Sequence, residues 1–140
     1  MDRKDFKFIS GWIEKDSTVL DLGCGDSTLL DFLRKNKNVK GYGFEKDIKK
    51  VQESISKNIN VIQADFNSGL EKYFEKNFFD YALMTQALQE NKNPDKIIIE
   101  MLRVAKEGIV TFPNMGFWKN RLQIGLLGKM PVSDSLPNNW

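Results

Sequence analysis

The chain has 140 residues, 41% of them hydrophobic and 29% charged, with a net charge of +2, one cysteine and no histidine. This composition describes a single domain, 1–140, that can bury about two-thirds of its unfolded surface; it excludes an intrachain disulfide, Ser–His and Cys–His nucleophilic sites and mixed histidine zinc sites, and no metal is expected. The lysines are scattered rather than striped, the start Met1-Asp2-Arg3-Lys4-Asp5 lacks an apolar signal-peptide core, and no apolar run approaches the roughly 20 residues of a membrane span, so the expectation is a cytoplasmic protein with no nucleic-acid or membrane partner.

Strand and helix signals alternate along the chain. Asp5 to Ile13 predicts an amphipathic helix with Phe6, Ile9, Trp12 and Ile13 on one face. Thr18 to Leu22 is a short apolar run suited to a parallel strand covered on both faces, and a helix from Ser27 to Arg34 follows it. Asn36-Lys37-Asn38 breaks the chain before a second strand, Val39 to Phe44, which leads to a helix from Asp47 to Ile55 and a third strand, Asn60 to Ala64. Asn67-Ser68-Gly69 opens a short helical piece carrying Leu70, Tyr73 and Phe74. Strand four is Phe79 to Met84, and Pro94 at the first position starts a helix through Val104. Strand five runs Gly108 to Phe112, and Phe117, Trp118, Arg121, Leu122 and Leu126 suggest a last helix ended by Gly128 and Pro131. Five strands separated by helices imply an α/β fold, a doubly wound, mostly parallel Rossmann-like sheet with right-handed crossovers.

The densest signal is Val19-Leu20-Asp21-Leu22-Gly23-Cys24-Gly25-Asp26, a strand feeding a helix through a glycine turn. Such a turn aims free backbone N–H groups into the crevice, with Asp26 and Ser27 where a helix cap belongs. The dinucleotide fingerprint needs a small residue at position 28, where Thr28 stands. The acid just before the glycines instead resembles motif I of the class I S-adenosylmethionine-dependent methyltransferases. That donor carries an ammonium group and no pyrophosphate, so Asp21 would hold the ammonium directly or fix the turn; a plain strand–helix turn is the alternative. Ser27 stands where the fuller form of the motif often has a third glycine.

Glu45 follows the second strand twenty residues after Gly25, the spacing at which Rossmann-like units place an acid on ribose hydroxyls. The alternative is a solvated glutamate, because Lys46, Asp47 and Lys49 follow it. Asp65 closes the third strand, placed to accept from an adenine amine while Phe66 or Ile48 covers the ring; by itself Asp65 reads equally as a turn former. Gln86 lies beyond strand four at the crevice mouth. Cys24 reads as a small packing residue within the turn. No constellation reads as catalytic, which methyl transfer by positioning tolerates.

Further segments narrow the resemblance. Phe79-Asp80-Tyr81, Gln86-Ala87-Leu88-Gln89, Pro94-Asp95, Met101-Leu102-Arg103-Val104, Phe112-Pro113-Asn114, Asn120-Arg121-Leu122-Gln123 and Met130-Pro131-Val132 occur in this order in the MetW family of methionine biosynthesis proteins, which the chain resembles over nearly its whole length. The resemblance implies binding of S-adenosylmethionine or S-adenosylhomocysteine through Asp21, Gly23, Cys24, Gly25, Glu45, Lys46, Asp65, Phe66 and Gln86, and a role supporting homoserine O-acyltransferase. An active small-molecule methyltransferase is the alternative. The chain stops at Trp140, where that family continues through the last strands of the sheet. A chain shortened there would leave an edge beside strand five, and a homo-oligomer through that edge is the expectation.

Overall fold

The computed structural model describes residues 4–85, 87–88, 91 and 93–112. Its helices are α1 (Lys4–Trp12), α2 (Thr28–Lys37), α3 (Ile48–Ser56) and α4 (Pro94–Val104), and its strands are β1 (Thr18–Leu22), β2 (Lys40–Glu45), β3 (Asn60–Gln63), β4 (Phe79–Thr85) and β5 (Ala105–Thr111). The strands form one sheet in the order β3-β2-β1-β4-β5, every pairing parallel. The chain starts at the centre, winds outward to β3, then crosses back to β4 and β5. The order therefore reverses beside β1, and that is where open parallel sheets place their ligands.

Two apolar layers sandwich the sheet. Val19 joins Phe6, Ile9, Ile13, Leu30 and Leu33 on the side of α1 and α2. Leu20 and Leu22 join Phe44, Phe79, Met101 and Val104 on the side of α4, as alternation along a strand requires. At the amino ends of the strands, Asp80 accepts from Thr18 N at 2.8 Å, Thr18 Oγ1 at 2.9 Å and Lys106 Nζ at 2.7 Å, joining β4 to both its neighbours. Lys106 and then Thr18 hold this carboxyl down at about 2.

Four expectations shift in detail. Trp12 is 60% exposed, while Phe6, Ile9 and Ile13 are buried; at 100° per residue Trp12 falls on the flank of the stripe they define. Helix α2 absorbs Asn36 and Lys37 and ends at Asn38, whose left-handed backbone (φ +54°) makes the stop. Residues 70–74 form a single turn, with Tyr73 N and Phe74 N both donating to Leu70 O, rather than a helix. Strand β5 begins three residues before Gly108, directly from the helix, because Ala105 pairs with Phe79 in register; the exposed Lys106 and Glu107 disguise it. The expected helix beyond Pro113 and the question of further strands lie outside the described residues.

Candidate functional site

The glycine turn is built by the chain around it. Gly23 N and Cys24 N both donate to Phe44 O, at 2.8 and 3.3 Å, which ties the turn to the end of β2. Gly23 (φ +74°) and Gly25 (φ +58°) adopt left-handed backbone that only glycine takes without strain. A Cβ at Gly25 would meet nothing within 4 Å, so conformation rather than crowding calls for glycine there. A Cβ at Gly23 would approach Ala87 Cβ at 3.4 Å and Phe66 Cε1 at 3.8 Å, narrowing the crevice.

A cavity of about 230 Å³ opens at the carboxyl ends of the strands, lined by Gly23, Glu45, Lys46, Asp65 and Phe66 together with Lys50, Asn67, Thr85, Ala87 and Asn91. Five of the positions named from the sequence thus share one wall. Ile48, the other residue expected against a ring, is half-exposed and takes no part in that wall. Lys50 was legible one helical turn beyond Lys46, and Thr85 as the last residue of β4; nothing in the sequence marks Asn91. A larger cavity, about 450 Å³, shares Phe66 and Asn67 and runs along α4 past Leu70, Ile97 and Glu100. It holds none of the strand-end acids, whereas the smaller one holds Glu45 and Asp65, so chemistry rather than size selects the smaller one.

The acids occupy different settings. Glu45 is buried, and its carboxylate accepts from Gly25 N through Oε2 and from Lys46 N and Asp47 N through Oε1, each at 2.9 Å. A carboxylate has about four acceptor sites, which leaves one of them for a ligand. Asp65 accepts from Asn67 N and Asn67 Nδ2 through Oδ1, at 2.9 and 2.8 Å, and caps the short 3-10 turn Phe66–Ser68. It is a turn former and also part of the cavity wall.

Asp21 is 1% exposed, and its Oδ1 has no hydrogen-bond partner among the described residues. Burial and the neighbouring Glu45 push its carboxyl up to about 7. A buried, unpartnered carboxylate oxygen is costly unless something cationic or hydrogen-bonding completes it. Cys24 is buried in the core layer beside Leu29 and Leu30 and is absent from the cavity wall. Burial, followed by the charge of Asp21, pushes its thiol up to about 12, so it is no nucleophile at neutral pH. Gln86 lies outside the described residues.

A nucleoside with a cationic tail fits this donor set. Glu45 and Asp65 on the wall suit hydroxyls and an exocyclic amine, and Phe66 offers an apolar face; Asp21 and Gly25 lie outside the cavity lining, with Asp21 buried beneath the turn. No three histidine, cysteine or carboxylate side chains group as metal ligands among the described residues, and no described helix is long and apolar enough to cross a membrane.

Comparison with known proteins bears on the family and the fold. The family model described as methionine biosynthesis protein MetW matches residues 3–140. The chain is 32% identical over 127 residues to the bifunctional methionine biosynthesis protein MetXA/MetW of Rhodopirellula baltica, a match covering 85% of this chain and 20% of that protein. Among solved structures, a Thermotoga maritima protein described as an S-adenosylmethionine-dependent methyltransferase, a possible histamine N-methyltransferase, superposes with a TM-score of 0.69 at 15% identity, covering 86% of this chain and 56% of that one. The [4+2]-cyclase SpnF superposes with a TM-score of 0.64 at 21% identity, covering 73% and 40%. These structural likenesses show the fold, and SpnF is described by a cyclisation, so the fold by itself names no reaction.

Proposed function

The chain belongs to the MetW family of methionine biosynthesis proteins, and from that premise we propose that it binds S-adenosylmethionine or S-adenosylhomocysteine at the glycine turn and supports homoserine O-acyltransferase. The observation that carries the ligand is the convergence of Gly23, Glu45, Asp65 and Phe66 on one cavity, with the unpartnered Asp21 carboxylate beside the turn. Asp21 would take the ammonium, the remaining acceptor site of Glu45 a ribose hydroxyl, and Asp65 the adenine amine. Phe66 covers the ring, and Lys46 borders the cavity beside Glu45. S-adenosylmethionine, when bound, supplies an activated methyl group. The partner rests on the relative that joins MetXA and MetW in one bifunctional chain.

An active methyltransferase is the second reading, favoured by a donor half-site in which every strand-end acid is present. Titration calorimetry with S-adenosylmethionine, S-adenosylhomocysteine and NAD tests the ligand. Binding of the first two and not the third is expected; heat from NAD alone, or from none, would remove the donor-site reading.

A further inference from the structure

Ser27 stands in left-handed backbone, φ +57° and ψ +26°, at the position from which α2 departs. That conformation is unfavourable for any residue with a Cβ, and serine is not among those that visit it routinely. The side chain makes none of the bonds that would explain a serine there: it does not cap the helix it precedes. It points inward instead, with 0% exposure, its hydroxyl 2.8 Å from Ser54 Oγ and 3.3 Å from Cys24 Sγ. Ser54 has no exposed surface either, and its hydroxyl lies 2.9 Å from Lys50 O in its own helix and 3.2 Å from Gly25 O in the turn. Gly25 N donates to Glu45 Oε2, and the single Ser54 proton is shared between Lys50 O and the Gly25 carbonyl. Lys57, the residue that ends α3, reaches Asp26 O and Asp26 Oδ2, both at 2.7 Å.

We infer that Ser27 and Ser54 are a matched pair of positioning residues, whose buried hydrogen bond holds the glycine turn in the shape a glycine at position 27 would adopt unaided. The chain of contacts runs Ser54 to Ser27 and Gly25, then Gly25 to the Glu45 carboxylate on the cavity wall. Without Ser54, residue 27 relaxes toward ordinary backbone, Gly25 turns with it, and Glu45 loses one of its three N–H donors. The effect on ligand rests on the donor-site reading above; the effect on the turn does not.

Substitution at position 27 separates this role from simple packing. Ser54→Ala and Ser27→Ala each delete the bond and keep a Cβ in left-handed backbone. Each should weaken S-adenosylhomocysteine binding by roughly tenfold and lower Tm by roughly 5 °C. Ser27→Gly deletes the same hydroxyl and removes the strain, so it should bind within about threefold of the parent. The Ser27→Gly/Ser54→Ala double variant should recover most of what Ser54→Ala loses. Equal damage from Ser27→Ala and Ser27→Gly, or a Ser54→Ala deficit untouched by Ser27→Gly, would overturn the pairing. Should Ser54→Ala fail to fold, the alanine–glycine contrast at position 27 decides alone. A parent that binds no S-adenosylhomocysteine defeats the ligand reading, and the same cycle read in Tm still decides the pairing.

Discussion

The Glu45 carboxylate accepts from three backbone N–H groups before any ligand arrives, so its removal acts twice. Glu45→Ala should weaken S-adenosylhomocysteine binding by about 1.5–3 kcal/mol, the range for hydrogen bonds to a charged group, and should lower Tm as well because three N–H groups lose their acceptor. Unchanged affinity in calorimetry would take the ribose role from Glu45 and leave it a loop fastener. Its position was legible from the twenty-residue spacing; its engagement with the turn was not, since only folding brings Gly25 N to Oε2. Asp21 makes a separate prediction. The folded chain keeps this proton up to about 7, whereas an unfolded aspartate releases it near 4. Between those values the native state binds the extra proton, so the stability Asp21 contributes is full below pH 4 and is lost as pH rises to about 7. The chain has no histidine to titrate in that window. Urea unfolding at pH 5 and pH 8 should show the parent losing roughly 2 kcal/mol relative to Asp21→Asn. Parallel pH profiles would mean that Asp21 is not the proton-holding group.

At the scale of elements, the alternation of strand and helix was readable because each buried strand is a compact apolar run and each helix carries its own stripe. Helix α4 begins and ends where Pro94 and Val104 predicted. Errors fell where packing overrides pattern. Trp12 matches the helical period and still faces solvent, because Phe6, Ile9 and Ile13 already fill the face against the sheet. Ile13 is 1% exposed, so Ile13→Ala should cost about 2–5 kcal/mol in denaturant unfolding. Trp12→Ala should fall within about 0.5 kcal/mol of the parent. The reverse ranking would place Trp12 in the core and reinstate the four-residue stripe. Strand β5 was read late for a related reason: Lys106 and Glu107 are exposed and polar, and their register comes from β4 rather than from their own pattern.

Across the whole molecule, the two ends of the sheet are built differently. The amino ends of β1, β4 and β5 are joined by the Asp80 contacts with Thr18 and Lys106. The carboxyl ends of β1, β2 and β3 carry the turn, the acids and the cavity. The proposed nucleoside site would serve a protein that transfers a methyl group and one that does not, and the fold neighbour described as a cyclase shows how little the architecture decides. What separates the two readings is therefore the behaviour of the partner. If the protein supports homoserine O-acyltransferase, the two should co-elute on size exclusion, and adding this chain should raise the acyltransferase rate with no methylated product formed. An acyltransferase whose elution and rate ignore this chain, together with a methylated small molecule accumulating from S-adenosylmethionine, would transfer the assignment to the methyltransferase. Both readings rest on the proposed donor site, which calorimetry tests separately.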